Sequence, residues 1–220
     1  MRDIHGRYPD NDTKDAIAST VKLLEELGHN IIEVDHPVKN SEEFMYNYMG
    51  VFGNKMATFA DHFDKLGTPL ESMKDKVSDN VTYLARTMQK RIANNPNLYE
   101  ESNQKCHEFA VQHSRIFFKK IDIWLTPCTH HVPKDISYFD QKLHSGKTIW
   151  ERSEKVMSYT PLENVAGNPA MSVPLYWTQS NMPVGSHFSA ARGNDRLLFE
   201  LAYQLEAARP WAHKKAPIVS

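Results

Sequence analysis

The clearest pattern of apolar and polar positions lies near the end of the chain. Apolar side chains recur there at intervals of three and four residues, at Leu197, Leu198, Leu201, Leu205 and Ala208. This spacing gathers them on one face of a helix. Asn194 can cap its first turn and Pro210 ends it, so an amphipathic helix that packs against a core is predicted.

Two apolar runs before this helix predict a hairpin of two strands. The first is Ala170 to Tyr176, in which Pro174 favours an edge strand or a bulge. The second is Val184 to Ala190, in which Gly185 allows another backbone to approach closely. The turn residues Asn181 to Pro183 separate the two runs. The hairpin is preceded by a cluster of turn-forming residues, namely Asn164, Gly167, Asn168 and Pro169.

The N-terminal pattern predicts a helix followed by a strand. Asp12 or Thr13 can cap the helix, and Gly28 ends it. Its apolar stripe comprises Ala16, Ile17, Thr20, Val21, Leu23, Leu24 and Leu27. A short strand follows over Ile31 to Val34. Such a unit packs beside an earlier strand, but Met1 to Tyr8 is too charged to form one, so the chain is expected to be a piece of a larger domain.

Long helical patterns occupy the middle of the chain. Three helices are predicted, one beginning at Ser41 and two over Met73 to Ile92 and Leu98 to Lys120. The last of them leads into a strand, Ile121 to Leu125, which ends at Thr126 and Pro127. From Thr129 to Met157 the sequence is polar and irregular, which predicts a long surface connection able to act as a lid over a pocket.

A family resemblance rests on three ordered stretches in the last third of the chain. They are NVAGNPAMSVP (164–174), MPVG (182–185) and LLFELAYQLEAARPW (197–211). In this order they resemble the C-terminal part of amidase-signature hydrolases. A shorter match, DIWLTP (122–127), lies in the expected order before them. Within the family, the aminohexanoate cyclic-dimer hydrolase branch is similar at Gly185, Phe188 and Ala190.

The resemblance implies a fold class and an activity. The fold is an α/β/α layered domain with a mixed sheet, of which residues 1–220 would be an incomplete, C-terminal portion of a single domain. Complete members of the family hydrolyse a carbon–nitrogen amide bond with a serine, which a bridging serine and a lysine activate, and they need no metal or other cofactor. The substrate implied for the complete protein is a small-molecule amide.

The serine loop of such enzymes has no counterpart in this sequence. The loop needs closely spaced backbone N–H donors to hold the oxyanion, and such donors require a tightly turning, glycine-rich backbone. In this sequence, however, none of the nine glycines is adjacent to another and no Gly-Ser-Ser run occurs. Ser145-Gly146-Lys147 is the nearest imitation and is interpreted as a plain turn. We therefore assign no catalytic residue here, place the Ser-Ser-Lys centre in a missing N-terminal half, and expect this chain alone to be inactive.

Residues that line a substrate pocket are still expected. The candidates begin the first long helix or lie at strand ends, where the loops of α/β folds carry ligands. They are Tyr46, Asn47, Thr126, Cys128, Thr129, Tyr159 and Asn164. For Asn164 and Gly167 a turn role is the competing interpretation.

Two alternatives remain at this stage. Cys128, with His130 and His131, provides side chains of the kind that bind zinc, which would indicate a small metal-dependent hydrolase. The same residues could instead provide a thiol nucleophile and an imidazole base, which would indicate a small Cys/His-dependent hydrolase. No second ligand pair at metal-site spacing accompanies them, so no metal site is assigned. The other alternative is a non-catalytic interaction or regulatory domain derived from the amidase scaffold.

Composition limits the partners and the compartment. The net charge of −1 gives no overall attraction to nucleic acid or to an anionic membrane. The N-terminus lacks the apolar core of a signal peptide, and no apolar run reaches the ~18 residues of a membrane span. Two cysteines give no disulfide framework, so a cytoplasmic protein is predicted. Apolar surface left uncovered by the missing half is expected to bind an upstream amidase half or to self-associate.

Overall fold

The computed structural model describes residues 2–215 of the 220 residues, and within them it contains seven α-helices and three β-strands. Met1 and residues 216–220 lie outside the described part. In chain order the elements are α1 (Asn11–Glu26), α2 (Ser41–Lys65), α3 (Asp79–Asn94), α4 (Leu98–Arg115), β1 (Ile123–Pro127), α5 (Gly146–Val156), α6 (Pro161–Ala166), β2 (Ala170–Trp177), β3 (Pro183–Ala190) and α7 (Asp195–Ala208).

The three strands form one antiparallel sheet in the order β1-β3-β2. The predicted hairpin of β2 and β3 is confirmed, and Leu125 of β1 lies opposite Phe188 of β3, which itself lies opposite Met171 of β2. The register of β2 shifts between Val173 and Tyr176, around the proline that predicted a bulge or an edge. β3 is the central strand, so its side chains are the most completely buried of the three.

Helices cover both faces of the sheet, which gives the predicted α/β/α layers. On one face α1 and α7 bury their leucines against apolar residues of β2 and β3: Leu23, Leu24, Val173, Leu175, Phe188, Ala190, Leu198, Leu201 and Leu205. The amphipathic helix predicted near the end of the chain is thus confirmed. On the other face α2, α4 and α6 surround Trp124 of β1. Because successive residues of a strand point to opposite faces, Trp124 joins one layer and Leu125 the other.

A helical extension is built from α2, α3, α4 and α5. α2 packs against α3 and α4, and α3 packs against α5. Met49, Leu84, Met88 and Leu98 form its buried centre. Gly146 opens α5 so close to α3 that a Cβ there would lie 2.2 Å from the carbonyl oxygen of Asp79, so only glycine fits.

Two predictions at the N-terminal end are wrong. The cap of α1 is Asp10 rather than Asp12 or Thr13, since its carboxylate accepts a hydrogen bond from the Thr13 N–H at 2.9 Å. Ile31 to Val34 is not a strand, and Ile32 is 51% exposed. A strand requires a hydrogen-bonded neighbour, and no described residue supplies one.

Other boundaries also differ from the prediction. The second middle helix begins at Asp79 rather than Met73, because residues 70–78 form a short 3₁₀ turn and bends instead. The third ends at Arg115 and continues as a separate 3₁₀ turn to Lys119.

The stretch from Thr129 to Met157 is not irregular throughout. It contains α5, capped by Ser145, whose Oγ accepts a hydrogen bond from the Thr148 N–H at 3.2 Å. Ser145-Gly146-Lys147 is therefore a helix start and not a plain turn. Asn164 lies inside the short helix α6 rather than in a turn, whereas Gly167, at a φ of +67°, ends that helix.

A buried polar network joins α4, α6 and β3. Glu163 is 4% exposed, and its Oε1 lies 2.9 Å from His113 Nε2 and accepts a hydrogen bond from Ser189 Oγ at 2.9 Å. Asn168 Nδ2 donates to Oε2 at 2.8 Å. Burial acts to raise the pKa of Glu163, but the hydrogen bonds and the charge of His113 outweigh it and hold that pKa below its usual range. The carboxylate is therefore ionised and fixes α6 against the sheet.

We predict that Glu163→Gln lowers the free energy of unfolding at neutral pH by about 3 kcal/mol, because it removes the charged partner of a buried histidine. Since the folded-state pKa of Glu163 is lowered, its stabilisation is present above the unfolded value of 4.5 and is lost as the pH falls through the folded value. The difference between variant and wild type should therefore shrink on acidification. Urea unfolding across this pH range measures it, with the exposed Glu206→Gln as control, and a difference independent of pH would contradict the assignment.

Candidate substrate-binding site

A cleft of about 230 Å³ lies where β1 ends. One side comes from the loop that follows β1, through Cys128, Thr129 and His131. The opposite side comes from the hairpin, through Ser172 of β2 and Gly185 of β3. The loop after β1 and residues within β2 and β3 thus meet around one opening.

Gly185 leaves room for two polar side chains at the wall of this cleft. A Cβ at this position would lie 2.5 Å from Ser172 Oγ and 3.0 Å from Cys128 Sγ. Those two atoms are 3.1 Å apart and form a hydrogen bond across the glycine. The prediction that another backbone approaches Gly185 is therefore wrong, because the groups that approach it are side chains.

The Cys128 thiol stays protonated at neutral pH. Burial raises its pKa, and the hydrogen bond with Ser172 only partly opposes this effect. A nucleophilic cysteine needs the opposite shift, from a nearby cation or imidazolium. Cys128 therefore presents a neutral polar surface to the cleft, and the thiol-nucleophile alternative loses its chemical basis.

The loop after β1 is held by the residues just before α1. Asp10 donates its backbone N–H to the carbonyl oxygen of His130 at 2.8 Å, and its carboxylate accepts the N–H of Val132 at 3.2 Å. Thr129 Oγ1 donates to the carbonyl oxygen of His131 at 2.6 Å within the loop. Burial acts to raise the pKa of Asp10, but its hydrogen bonds with Thr13 and Val132 outweigh it, so the pKa is lowered and the carboxylate remains an acceptor.

A second anchor of this loop is a cluster around Asp3. The Asp3 carboxylate is fully buried and receives two hydrogen bonds from the Arg7 guanidinium, at 2.9 and 2.7 Å. His130 Nδ1 lies 3.1 Å from Ser158 Oγ and 3.9 Å from Asp3 Oδ2. Burial, followed by the charge of Arg7, lowers the pKa of His130 to about 4, so its imidazole is neutral at physiological pH.

This cluster contains a serine, a histidine and an aspartate, but it is not a catalytic triad. In a triad the two imidazole nitrogens face different partners, serine on one side and carboxylate on the other. Here Ser158 and Asp3 both approach the same nitrogen of His130, and Ser158 is completely buried. The cluster therefore holds the loop in place and cannot activate Ser158 as a nucleophile.

The seven predicted pocket residues do not form one site in the described part of the chain. Cys128 and Thr129 line the cleft, and Thr126 lies beside it in β1, where its Oγ1 hydrogen-bonds to His187 Nδ1 at 2.9 Å. Asn47 lines a second, more open cleft of about 290 Å³ between α2 and α4. Tyr46 is half exposed, and the guanidinium of Arg91 lies 4.4 Å above its ring.

Tyr159 and Asn164 line neither cleft. Tyr159 is 1% exposed, and its hydroxyl has no hydrogen-bond partner among residues 2–215. Burial, reinforced by the charge of Asp3, raises its pKa above the usual range. Asn164 lies beside the hydroxyl of Tyr48 in α2. Asn164 is thus an exposed residue of α6 that faces α2, whereas Tyr159 is buried near Asp3 and Arg7.

The sequence did not indicate Ser172, Asp3 or Asp10 as parts of the site. Ser172 lies in an apolar run that predicted only a strand, and Asp3 lies in a charged segment with no periodic pattern. Asp10 did carry a usable signal, because aspartate is among the residues preferred at a helix N-cap. Its contact with the distant Val132 has no signature in sequence.

Neither a metal cluster nor a membrane-spanning helix is found in residues 2–215. No group of three or more His, Cys, Asp or Glu side chains is close enough there to hold a metal ion. Among the helices described, none has the length and apolar character to cross a bilayer.

Sequence comparison identifies one family. The family described as Amidase matches residues 1–199. AmiC of Mycobacterium tuberculosis (strain CDC 1551 / Oshkosh), which carries the name of an amidase, is 31% identical over 206 residues, or 90% of this chain and 40% of its own length. The 6-aminohexanoate-cyclic-dimer hydrolase of Pseudomonas sp. (strain NK87) is 23% identical over 225 residues, or 93% of this chain and 42% of its own.

Solved structures show the same fold. A structure of 6-aminohexanoate cyclic dimer hydrolase superposes with a TM-score of 0.79 at 19% identity, covering 100% of this chain and 46% of the other. A bacterial aryl acylamidase of the amidase signature family superposes with a TM-score of 0.72 at 16% identity, covering 97% and 44%. The chain thus spans less than half of the relatives it matches.

We predict that Gly185→Ala destabilises the chain by roughly 1 to 3 kcal/mol, because the new methyl group overlaps Ser172 Oγ and Cys128 Sγ. Ser172→Ala removes the nearer of these atoms, so the double variant should lose less stability than the sum of the two single variants. Thermal or urea unfolding of the four proteins measures this coupling. Strictly additive losses would mean that the cleft wall is not packed as described.

Proposed function

Because the chain belongs to the amidase-signature family, we propose that it forms the C-terminal portion of an amidase and supplies one wall of the pocket that binds a small-molecule amide. The complete protein hydrolyses the carbon–nitrogen bond of that amide. Residues 1–220 fold as part of a single domain whose remainder lies outside this chain.

One sequence observation carries the catalytic part of the proposal. The 220 residues contain no Gly-Ser-Ser run and no adjacent glycines, so the tight backbone that an oxyanion site requires is missing. Within residues 2–215, Ser158 lies close to a histidine and an aspartate, but it is buried and wrongly arranged for activation. The nucleophile, the bridging serine and the lysine are therefore proposed to lie in the missing N-terminal half.

The cleft at the end of β1 supports a binding role for this portion. Its polar lining comprises Cys128, Thr129, His131 and Ser172, without any Asp, Glu, Lys or Arg side chain, and its remaining wall includes Pro133, Pro183 and Val184. An uncharged amide with a small apolar substituent matches such a surface, because no fixed charge has to be desolvated. Relatives carry the names lipoamidase, acylamidase and 6-aminohexanoate-cyclic-dimer hydrolase, which do not agree on one substrate. We therefore propose an amide without naming its acyl part.

A cytoplasmic location is part of the proposal, and the free thiols support it. Cys106 and Cys128 are both free, which agrees with a reducing environment such as the cytoplasm. No cofactor enters the proposed reaction, since the family's serine chemistry requires none.

The purified chain is expected to hydrolyse none of a panel of simple aryl and aliphatic amides above the uncatalysed rate, with or without a chelator. The missing nucleophile is the physical reason. The 6-aminohexanoate-cyclic-dimer hydrolase of Pseudomonas sp., assayed on its cyclic dimer, serves as the positive control. Turnover by this chain would sink the proposal, and its loss with chelator would point to a metal-dependent site instead.

A further inference from the structure

His131 lines the cleft at the end of β1, and the proposed function assigns it no role of its own. Its Nδ1 lies 2.6 Å from the carbonyl oxygen of Val132. A carbonyl oxygen only accepts hydrogen bonds, so in the neutral ring Nδ1 carries the proton and donates it. The other ring nitrogen, Nε2, is then an acceptor, and none of residues 2–215 hydrogen-bonds to it. The ring therefore brings an unused acceptor to the cleft.

Ser172 and Cys128 contribute the opposite property, a hydrogen that is free to be donated. Their Oγ and Sγ atoms are 3.1 Å apart and share one hydrogen bond. Burial keeps the thiol protonated, so the pair carries a hydrogen on sulfur and another on oxygen. Whichever atom donates within the pair, the hydrogen of the other has no acceptor in the described part of the chain. The cleft thus combines an acceptor with a donor.

The size and charge of the cleft limit what can occupy it. Its volume of about 230 Å³ is below the roughly 300 Å³ at which sites for whole small ligands begin, so it holds one group of a larger molecule. No Asp, Glu, Lys or Arg side chain lines it. A carboxylate or an ammonium ion would lose its water there without gaining an opposite charge. The occupant is therefore an uncharged group.

The positions of the donor and the acceptor indicate which uncharged group fits. His131 belongs to the loop after β1, whereas Ser172 lies in the hairpin on the opposite side of the cleft. A group that contacts both sides needs its own donor and acceptor on different atoms. The N–H and C=O of a trans amide meet this need, because they point in opposite directions within one plane.

We propose that this cleft recognises an amide group that keeps an N–H, with His131 Nε2 accepting from the N–H and the pair of Ser172 and Cys128 donating to the carbonyl oxygen. This rests on the proposed function, since it takes the cleft to be part of the substrate pocket. Primary and secondary amides fit the cleft. A tertiary amide does not, because an alkyl group would face Nε2 and leave that acceptor unpaired. His131 is thereby the residue that selects between the two classes.

The position of the ring proton on His131 is the first test. In nitrogen–hydrogen correlation spectra of the purified chain, the neutral His131 ring should carry its proton on Nδ1, and Nε2 should show the shift of an unprotonated nitrogen. The signals are assigned by their loss in His131→Gln. A neutral ring with its proton on Nε2 would overturn the proposal, because Nε2 would then be a donor.

The second test compares two probes, N-ethylacetamide and N-ethyl-N-methylacetamide, of which only the first has an N–H. Binding to the chain is followed through the backbone amide shifts of residues 128–131 and 184–186. The loss of one hydrogen bond should make the tertiary probe bind about tenfold more weakly. Equal affinity would reject selection by His131 but retain the cleft as the binding site of the proposed function. The absence of shifts with either probe would overturn both.

Variants separate the two contacts. His131→Phe keeps a flat ring but removes the acceptor, so the two probes should bind equally. His131→Gln supplies a side-chain carbonyl oxygen and should restore part of the preference. Ser172→Ala removes a donor to the carbonyl oxygen that both probes share, so it should weaken both and leave the preference unchanged.

The matched control is His107→Phe, at an exposed position of α4 outside the cleft, which should bind both probes as the unaltered chain does. Unchanged amide shifts of β3 residues 187–190 in each variant show that the sheet is folded. A preference for N-ethylacetamide that survives His131→Phe in a folded protein would contradict the proposal. Loss of the preference in Ser172→Ala as well as in His131→Phe would also contradict it, because the N–H would then not be recognised by His131 alone.

Discussion

Hydrogen bonding along both edges of β3 is the constraint on which this structure depends. β3 pairs with β1 on one side and with β2 on the other. It thereby brings together two segments that are more than 40 residues apart in sequence, so that Cys128 lies beside Ser172. Because its side chains alternate between two layers, the same strand also connects the α1 and α7 leucines to the Glu163 network behind it. Folding of the sheet therefore brings together the loop after β1 and the β2–β3 hairpin, which form the two sides of the cleft.

The cleft is positioned by polar contacts and not by apolar packing. Asp10 and the Asp3 cluster fix the loop after β1, while Gly185 leaves space for the pair of Cys128 and Ser172. These groups are held neutral or paired: burial keeps the thiol protonated, Arg7 neutralises Asp3, and His130 is uncharged. In the described part of the chain the imidazole of His131, which lines the cleft, hydrogen-bonds to the Val132 carbonyl and not to Cys128 or Ser172. We therefore propose that binding and chemistry are divided between two parts of one protein.

The sequence predicted those elements whose stability is local. The leucine repeat of α7, the β2–β3 hairpin and the closing role of Gly28 follow from periodicity and turn chemistry, and the structure confirms them. Prediction from the sequence failed where contacts between distant residues determine the local structure. Ile31 to Val34 has the pattern of a strand but no neighbouring strand among the described residues. Helix α5 was missed because its sequence is polar and contact with α3 stabilises it. Of the predicted pocket residues, Cys128 and Thr129 both line the cleft, because both directly follow the end of a strand. Tyr46 and Asn47, by contrast, were predicted from their position along a helix, which does not determine what that side of the helix contacts.

The division of binding and chemistry is tested most directly by the intact mass of the chain after incubation with a fluorophosphonate, a reagent that phosphonylates activated serines. We predict an unchanged mass at reagent concentrations that fully label the 6-aminohexanoate-cyclic-dimer hydrolase. A stoichiometric adduct on any serine of this chain, lost on unfolding the protein before labelling, would show an activated nucleophile here and contradict the proposed division.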